Sequence, residues 1–197
     1  MNQNPIAAHF QQSLTALERT ANDAALLRVA SHIALAIIDA LRSGNKVLLI
    51  GNGGSAADAQ HIASEIIGRY KKERPGYAAV ALTTDTSALT AISNDYGFEQ
   101  IFARQVESLG QPGDVLLALS TSGRSPNILA ALGVARQRGL VTVGFTGLKG
   151  KSLHDVCDHL FVAPSDDTPV IQQIHLTAGH AICDNVERAL VDGVGVK

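Results

Sequence analysis

The sequence predicts an α/β fold: a doubly wound, parallel sheet of five strands preceded by two N-terminal helices. Five short apolar runs alternate with helical patterns, and unbroken apolar runs are what strands covered on both faces require. The composition agrees. Of 197 residues, 46% are hydrophobic but only 4% aromatic and 17% charged, the profile of an aliphatic core in one domain of ordinary size. Finally, three consecutive strand-to-helix turns end in small, hydroxyl-rich or acidic loops, at the strand ends where such sheets bind ligands.

Residues 5–41 carry two helical stripes, Ile6, Phe10, Leu14 and Leu17, then Leu26, Ala30, Ile33, Ile37 and Leu41. Ser43-Gly44-Asn45 stops the second helix. The first strand, 46–50, leads through Gly51-Asn52-Gly53-Gly54 into a helix over 55–68. A polar connection with Arg74-Pro75-Gly76 precedes a strand over 78–82. Thr83-Thr84-Asp85 then opens short helical material interrupted by Ser93-Asn94-Asp95. Strands over 115–119 and 141–145 flank a helix over 128–137 that ends at Gly139. A weak fifth strand at 160–162 and a long helix over 169–191 follow. No repeat or linker divides the chain. Residues 1–197 therefore read as one domain, in which the 1–43 helical pair covers the sheet and also packs on a second subunit.

The formal net charge is −2 and there is no Trp, so neither a basic field nor stacking residues point to nucleic acid. Two cysteines, Cys157 and Cys183, make no disulfide framework and fit a reduced cytoplasm. The start, Met1-Asn2-Gln3-Asn4-Pro5, has neither a basic region nor an apolar signal core. The apolar stretch 29–41 is interrupted by Ser31, His32 and Asp39 and is too short to span a bilayer. A soluble protein without a membrane partner is expected.

One loop, Ser120-Thr121-Ser122-Gly123-Arg124-Ser125, follows the run Asp114 to Leu119 and precedes a helix starting at Ser125-Pro126. Its hydroxyls, N–H groups and helix end suit a phosphate without a lysine. Asn52-Gly53-Gly54-Ser55 is a second anion or hydroxyl site, or simply a tight turn that needs its glycines. It is not a dinucleotide fingerprint, since the final glycine and the acidic end of the next strand are missing.

The following helix carries Asp58, His61 and Glu65. His61 and Glu65, at i and i+4, lie about 6 Å apart along the axis, which suits a zinc-type cation, an acid–base pair or a plain solvated face. The last helix adds Gln172, His175 and His180 amid Ile171, Ile174, Leu176 and Ile182. Gln172 and His180 stand roughly 12 Å apart along a straight helix, so one ion reaches both only if side chains lean or subunits share it. Asn94-Asp95 suits sugar hydroxyls or a turn. His9, His32, His154 and His159 read as structural or solvated, and the two cysteines as core packing.

These pieces together resemble a family. Asn52-Gly53-Gly54-Ser55 with Asp58-Ala59-Gln60-His61 and Glu65 is similar to the first motif of the phosphoheptose isomerases, proteins of the sugar-isomerase (SIS) domain. The likeness continues through Arg74-Pro75, Ala81 to Asp85, Asn94-Asp95-Tyr96-Gly97, Gly113 to Leu117, Ser120 to Gly123 and Ile171-Gln172, nearly the whole chain.

The resemblance implies a flavodoxin-like SIS fold, a cytoplasmic homotetramer with active sites between subunits, and one bound zinc per site. It places metal ligands on His61, Glu65, Gln172 and His180. Phosphate contacts fall on Ser55, Ser120, Thr121, Ser122 and Ser125. Sugar contacts fall on Asn52, Gly53, Gly54, Glu65, Asn94, Asp95 and Gln172. The implied reaction turns sedoheptulose 7-phosphate into D-glycero-D-manno-heptose 7-phosphate through an enediol, the first step toward activated heptose for lipopolysaccharide. Glu65 is read as the base and His180 as the acid.

Two departures stand out: Gln173 where the family often has Glu, and Leu148-Lys149-Gly150-Lys151 in place of a more acidic turn. A non-catalytic SIS scaffold, such as a replication-initiator-associating protein, would not need the polar set. A third reading is a phosphosugar-binding regulator or an isomerase acting on another sugar, since nothing in the loops measures the length of the sugar.

Overall fold

A computed structural model describes residues 4–193. The reading of the extreme N-terminus therefore lies largely outside the described residues. Two helices, α1 (Pro5–Asn22) and α2 (Ala24–Arg42), lead into β1 (Val47–Gly51) and α3 (Gly54–Ile67). Then come β2 (Ala79–Ala81), α4 (Thr86–Tyr96), a 3-10 turn at Phe98–Gln100 and α5 (Ala103–Leu109). The chain continues with β3 (Val115–Leu119), α6 (Pro126–Gln137), β4 (Val141–Thr146), a 3-10 segment over Leu148–Asp155, β5 (His159–Val162) and α7 (Thr168–Val191).

The strands pair in parallel in the order β2-β1-β3-β4-β5, as expected for the doubly wound class. Alternation along β1 divides the core. Val47 and Leu49 join Ile33, Ile37, Ile62 and Ile174 on the α1, α2, α3 and α7 side. Leu48 and Ile50 join Phe102, Val106, Ile128 and Leu132 on the α5 and α6 side. At the amino ends, Asp114 is fully buried and accepts hydrogen bonds from Lys46 Nζ (2.6 Å) and from the backbone N–H groups of Lys46 and Gln111 (2.9 and 2.8 Å). This ties the starts of β1 and β3 together.

Asp23 serves both N-terminal helices. It ends α1, and its side chain accepts from the N–H groups of Ala25 and Leu26 at the start of α2. Two expectations need correction. Ser93-Asn94-Asp95 does not interrupt the helical material; it forms the last turn of α4, which Asp85 caps and Gly97, at φ +92°, ends. Turn-favouring residues tolerate a final helical turn when the stop lies just beyond them. Nor does length keep the apolar N-terminal segment out of a bilayer, because α2 has 19 residues and is apolar enough to cross one. Packing decides instead: Ile33, Ala34, Ile37, Ile38 and Ala40 are buried in the protein core.

Candidate active site

The strand order reverses between β1 and β3, and the loops after these two strands meet there. Asn52, just after β1, exchanges two hydrogen bonds with Asn127 in the first turn of α6, at 2.9 and 2.8 Å. Asn127 is buried, and with Asn52, Phe98, Glu99, Ser125 and Pro126 it lines a cavity of about 240 Å³. Its amide is a feature that motif reading missed; its place in the first turn of α6, beside a serine loop, was the available signal.

The serine loop folds on itself. Gly123 N–H donates to Ser120 Oγ at 3.2 Å, Arg124 N–H to Ser122 Oγ at 3.3 Å, and the Ser120 and Ser125 hydroxyls stand 3.5 Å apart. Ser125 occupies the N-cap of α6 without spending its hydroxyl on the helix. Gly123 has φ +64°, and a Cβ there would come within 2.6 Å of Gly150 Cα. The departing turn at 148–151 therefore backs the loop directly. Thr121 is fixed from behind, its carbonyl accepting from Gly147 N–H at 3.0 Å.

The two glycines at the start of α3 have different jobs. Gly53 adopts φ +55°, a backbone state that side chains resist. Gly54 leaves room for the Gln172 side chain, whose Nε2 would stand 2.5 Å from a Cβ at that position. Ser55 is buried in the first turn of α3.

One level along the same pair of helices, three groups converge. His61 Nε2 lies 2.9 Å from His180 Nε2 and 3.3 Å from Glu65 Oε1, and the three donor atoms all fall within 4.8 Å of one another. Donors around a tetrahedral zinc stand about 3.4 Å apart, so two imidazoles and a carboxylate at this spacing could hold such an ion. Gly179, next to His180, meets Ile62, next to His61, which is how α7 comes so close to α3. Gln172 stays at the level of Gly54, as its axial distance from His180 requires.

Asp58 lies near this group. Burial raises its carboxyl above the usual carboxylate range, with the His61 charge opposing the rise. His175 does not share the site. It is wholly buried, bonded through Nε2 to the Thr146 carbonyl at 3.1 Å, and its ring meets Phe145 edge to face. Asn94 and Asp95 bond to each other on the exposed end of α4, with no hydrogen bond to the serine loop or to His61, Glu65 or His180 among the described residues. Cys183 is buried and Cys157 half-buried, and burial pushes both thiols up to about 12, as inert packing residues require. Gln173 contacts His9 of α1 at 3.3 Å.

Comparison with known proteins decides the family. The SIS domain family model matches residues 8–147. Phosphoheptose isomerase from Bradyrhizobium sp. (strain ORS 278) is 67% identical over 186 residues, 94% of each chain. The chain belongs to the phosphoheptose isomerase family of SIS-domain proteins. Two solved structures carry the same fold. Phosphoheptose isomerase GmhA from Neisseria gonorrhoeae has TM-score 0.88 and 41% identity, over 98% of this chain and 100% of that one. A phosphoheptose isomerase from Francisella tularensis has TM-score 0.90 and 37% identity, over 95% and 99%. The resemblance drawn from the motifs and the predicted fold are thus borne out, and the converging residues fall in a family named for an isomerase.

Proposed function

We propose that the chain isomerises sedoheptulose 7-phosphate to D-glycero-D-manno-heptose 7-phosphate, supplying heptose for lipopolysaccharide or a related glycan from the cytoplasm. The observation that carries this reading is the convergence of Glu65 with His180, from helices more than a hundred residues apart, one level along from the Gly-Gly-Ser turn. A scaffold gains nothing from that placement. The serine loop, with Ser55, Ser120, Thr121, Ser122 and Ser125, takes the phosphate, so binding energy remote from the reaction orients the other end. Asn52, Gly53, Gly54 and Gln172 hold the sugar hydroxyls, as do Asn94 and Asp95, reaching the site across a subunit boundary.

Glu65 takes a proton from C1 while His180 gives one to the C2 oxygen, leaving the enediol. His180 then accepts the O1 proton as Glu65 delivers its own to C2, and both side chains end as they began. His61, Glu65 and His180 would hold a divalent ion, zinc by donor type, with Gln172, leaning along its helix or supplied by a neighbouring subunit, as the fourth donor. When bound, the ion polarises the carbonyl and steadies the developing oxyanion. Glu65 must keep one oxygen free to act as base, and His180, holding the ion through Nε2, must exchange its proton at Nδ1 or leave the ion to act as acid.

The full chain works as one domain in a homotetramer, with residues 1–43 in subunit contacts. Ile6, Phe10, Leu14 and Leu17 leave an apolar stripe exposed on α1, which a second copy would cover. Incubation with sedoheptulose 7-phosphate in heavy water should yield labelled aldose. Glu65→Gln should bind the sugar phosphate without exchange; exchange retained in that variant would remove Glu65 as the base.

A further inference from the structure

The His61, Glu65 and His180 centre is only as well aligned as the two helices that carry it, and a buried ion pair joins those helices just beyond it. The side chains of Arg74 and Glu187 are 4% and 2% exposed, with Arg74 Nε 3.1 Å from Glu187 Oε1. Arg74 follows α3, and its guanidinium also donates to the carbonyls of Glu65 (2.8 Å), Ile66 (3.0 Å), Gly68 (3.2 Å) and Pro75 (3.0 Å). It thus closes the C-terminal turn of α3 and grips the main chain of the proposed base itself. Glu187 lies seven residues after His180, two turns along the same face of α7. Its carboxylate accepts the N–H groups of Tyr70 (2.9 Å), Lys71 (2.7 Å) and Lys72 (2.9 Å). The segment so held places the Tyr70 ring 5.6 Å from the His180 ring.

A pair needed only for stability could tie any two elements, and apolar residues often replace such pairs without loss. This one grips the backbone of Glu65 at one end and the helix of His180 at the other. Planar, forked hydrogen bonding fixes both angle and distance, which a lysine at position 74 could not do. We infer that Arg74 and Glu187 are positioning residues that set the spacing of Glu65 against His180. The inference rests on the function proposed above.

The test uses purified full-length protein, measuring zinc affinity by chelator competition, kcat and KM with sedoheptulose 7-phosphate, and Tm. Arg74→Gln and Glu187→Gln should weaken zinc about tenfold or more and lower kcat by a similar factor, with KM changed far less. Arg74→Lys keeps the charge and should fall between these variants and the wild type; it also provides the reading if the glutamine variants do not fold. Asp114→Asn, which breaks the ion pair with Lys46 that ties the starts of β1 and β3, should lower Tm while leaving zinc affinity and kcat unchanged. Zinc affinity and kcat at wild-type values in Arg74→Lys and the glutamine variants that fold would overturn the inference. A wild-type protein that neither binds zinc nor isomerises the sugar would overturn the proposed function instead.

Discussion

Gly179 of α7 packs directly on Ile62 of α3, so closely that a Cβ at Gly179 would stand 2.7 Å from Ile62 Cδ1. Each is the chain neighbour of a proposed ligand, His180 or His61. A glycine in mid-helix costs about 1 kcal/mol relative to alanine, so its presence here has to be offset by what close approach allows. Gly179→Ala should therefore force the Ile62 side chain aside or part the helices. Overpacking costs about 1–3 kcal/mol, enough to cancel the helical gain. Zinc affinity and kcat should drop several-fold and Gly179→Val should lose more; a fully active Gly179→Val would show that the close approach is dispensable.

The Asn52–Asn127 exchange predicts a different kinetic signature. Asn127→Leu leaves the Asn52 amide without its buried partner, and a lost hydrogen bond of about 1 kcal/mol corresponds to roughly fivefold. KM for the sugar phosphate should rise three- to tenfold with kcat nearly unchanged, because the pair shapes binding and lies apart from the proton-transfer groups. Steady-state kinetics with matched thermal melts would separate this from simple unfolding.

His175 predicts acid sensitivity. Burial pulls its pKa down from 6.5 to about 4, against the smaller opposing effect of its bond to Thr146. Between these values the unfolded chain binds a proton that the folded chain refuses, so stability falls as pH drops from about 6.5 toward 4 and is fully present above that range. The effect amounts to about 3 kcal/mol at most. His175→Gln should flatten the fall in denaturation midpoint across that window. A midpoint that falls as steeply in the variant would assign the acid sensitivity to other groups.

The exposed stripe on α1 predicts assembly. Phe10 is 71% and Ile6 69% exposed, far beyond what a scattered surface residue needs. Phe10→Glu should shift light-scattering mass from the proposed tetramer toward smaller species and reduce activity in proportion, since the proposed sites need neighbouring subunits. A wild-type chain that is monomeric at micromolar concentration would refute the tetramer.

Chelation should separate the ion from the fold. Removing divalent metal should abolish isomerisation while lowering Tm only modestly, because the 3.3 Å His61–Glu65 contact lies on one helix and the core does not depend on it. Zinc added back should restore activity; activity undiminished in thoroughly chelated protein would dismiss the metal.

Much of this was legible in the chain. The β1, β3 and β4 runs are apolar throughout because both faces of a parallel strand are covered, and that composition survives any tertiary context. The serine loop, His61–Glu65 spacing and Gly-Gly-Ser turn are local patterns and could be read as such. Position 94–95 misled because local turn preference is weak beside a stop at Gly97. His175 looked like a companion of Gln172, since an i, i+3 pair shares a side of the helix. Yet a half-buried helix turns one edge of that side to the core and the other to the groove.

The order of elements, the sheet class and the local motifs follow from the chain alone, since each depends on residues within a few turns of one another. That His61 and His180 meet, that Gln172 stays with Gly54 and that Arg74 reaches Glu187 is visible only in the packed fold. Those contacts depend on how two distant helices settle on one sheet, and the shapes of Gly179 and Ile62 matter there more than any spacing along the chain.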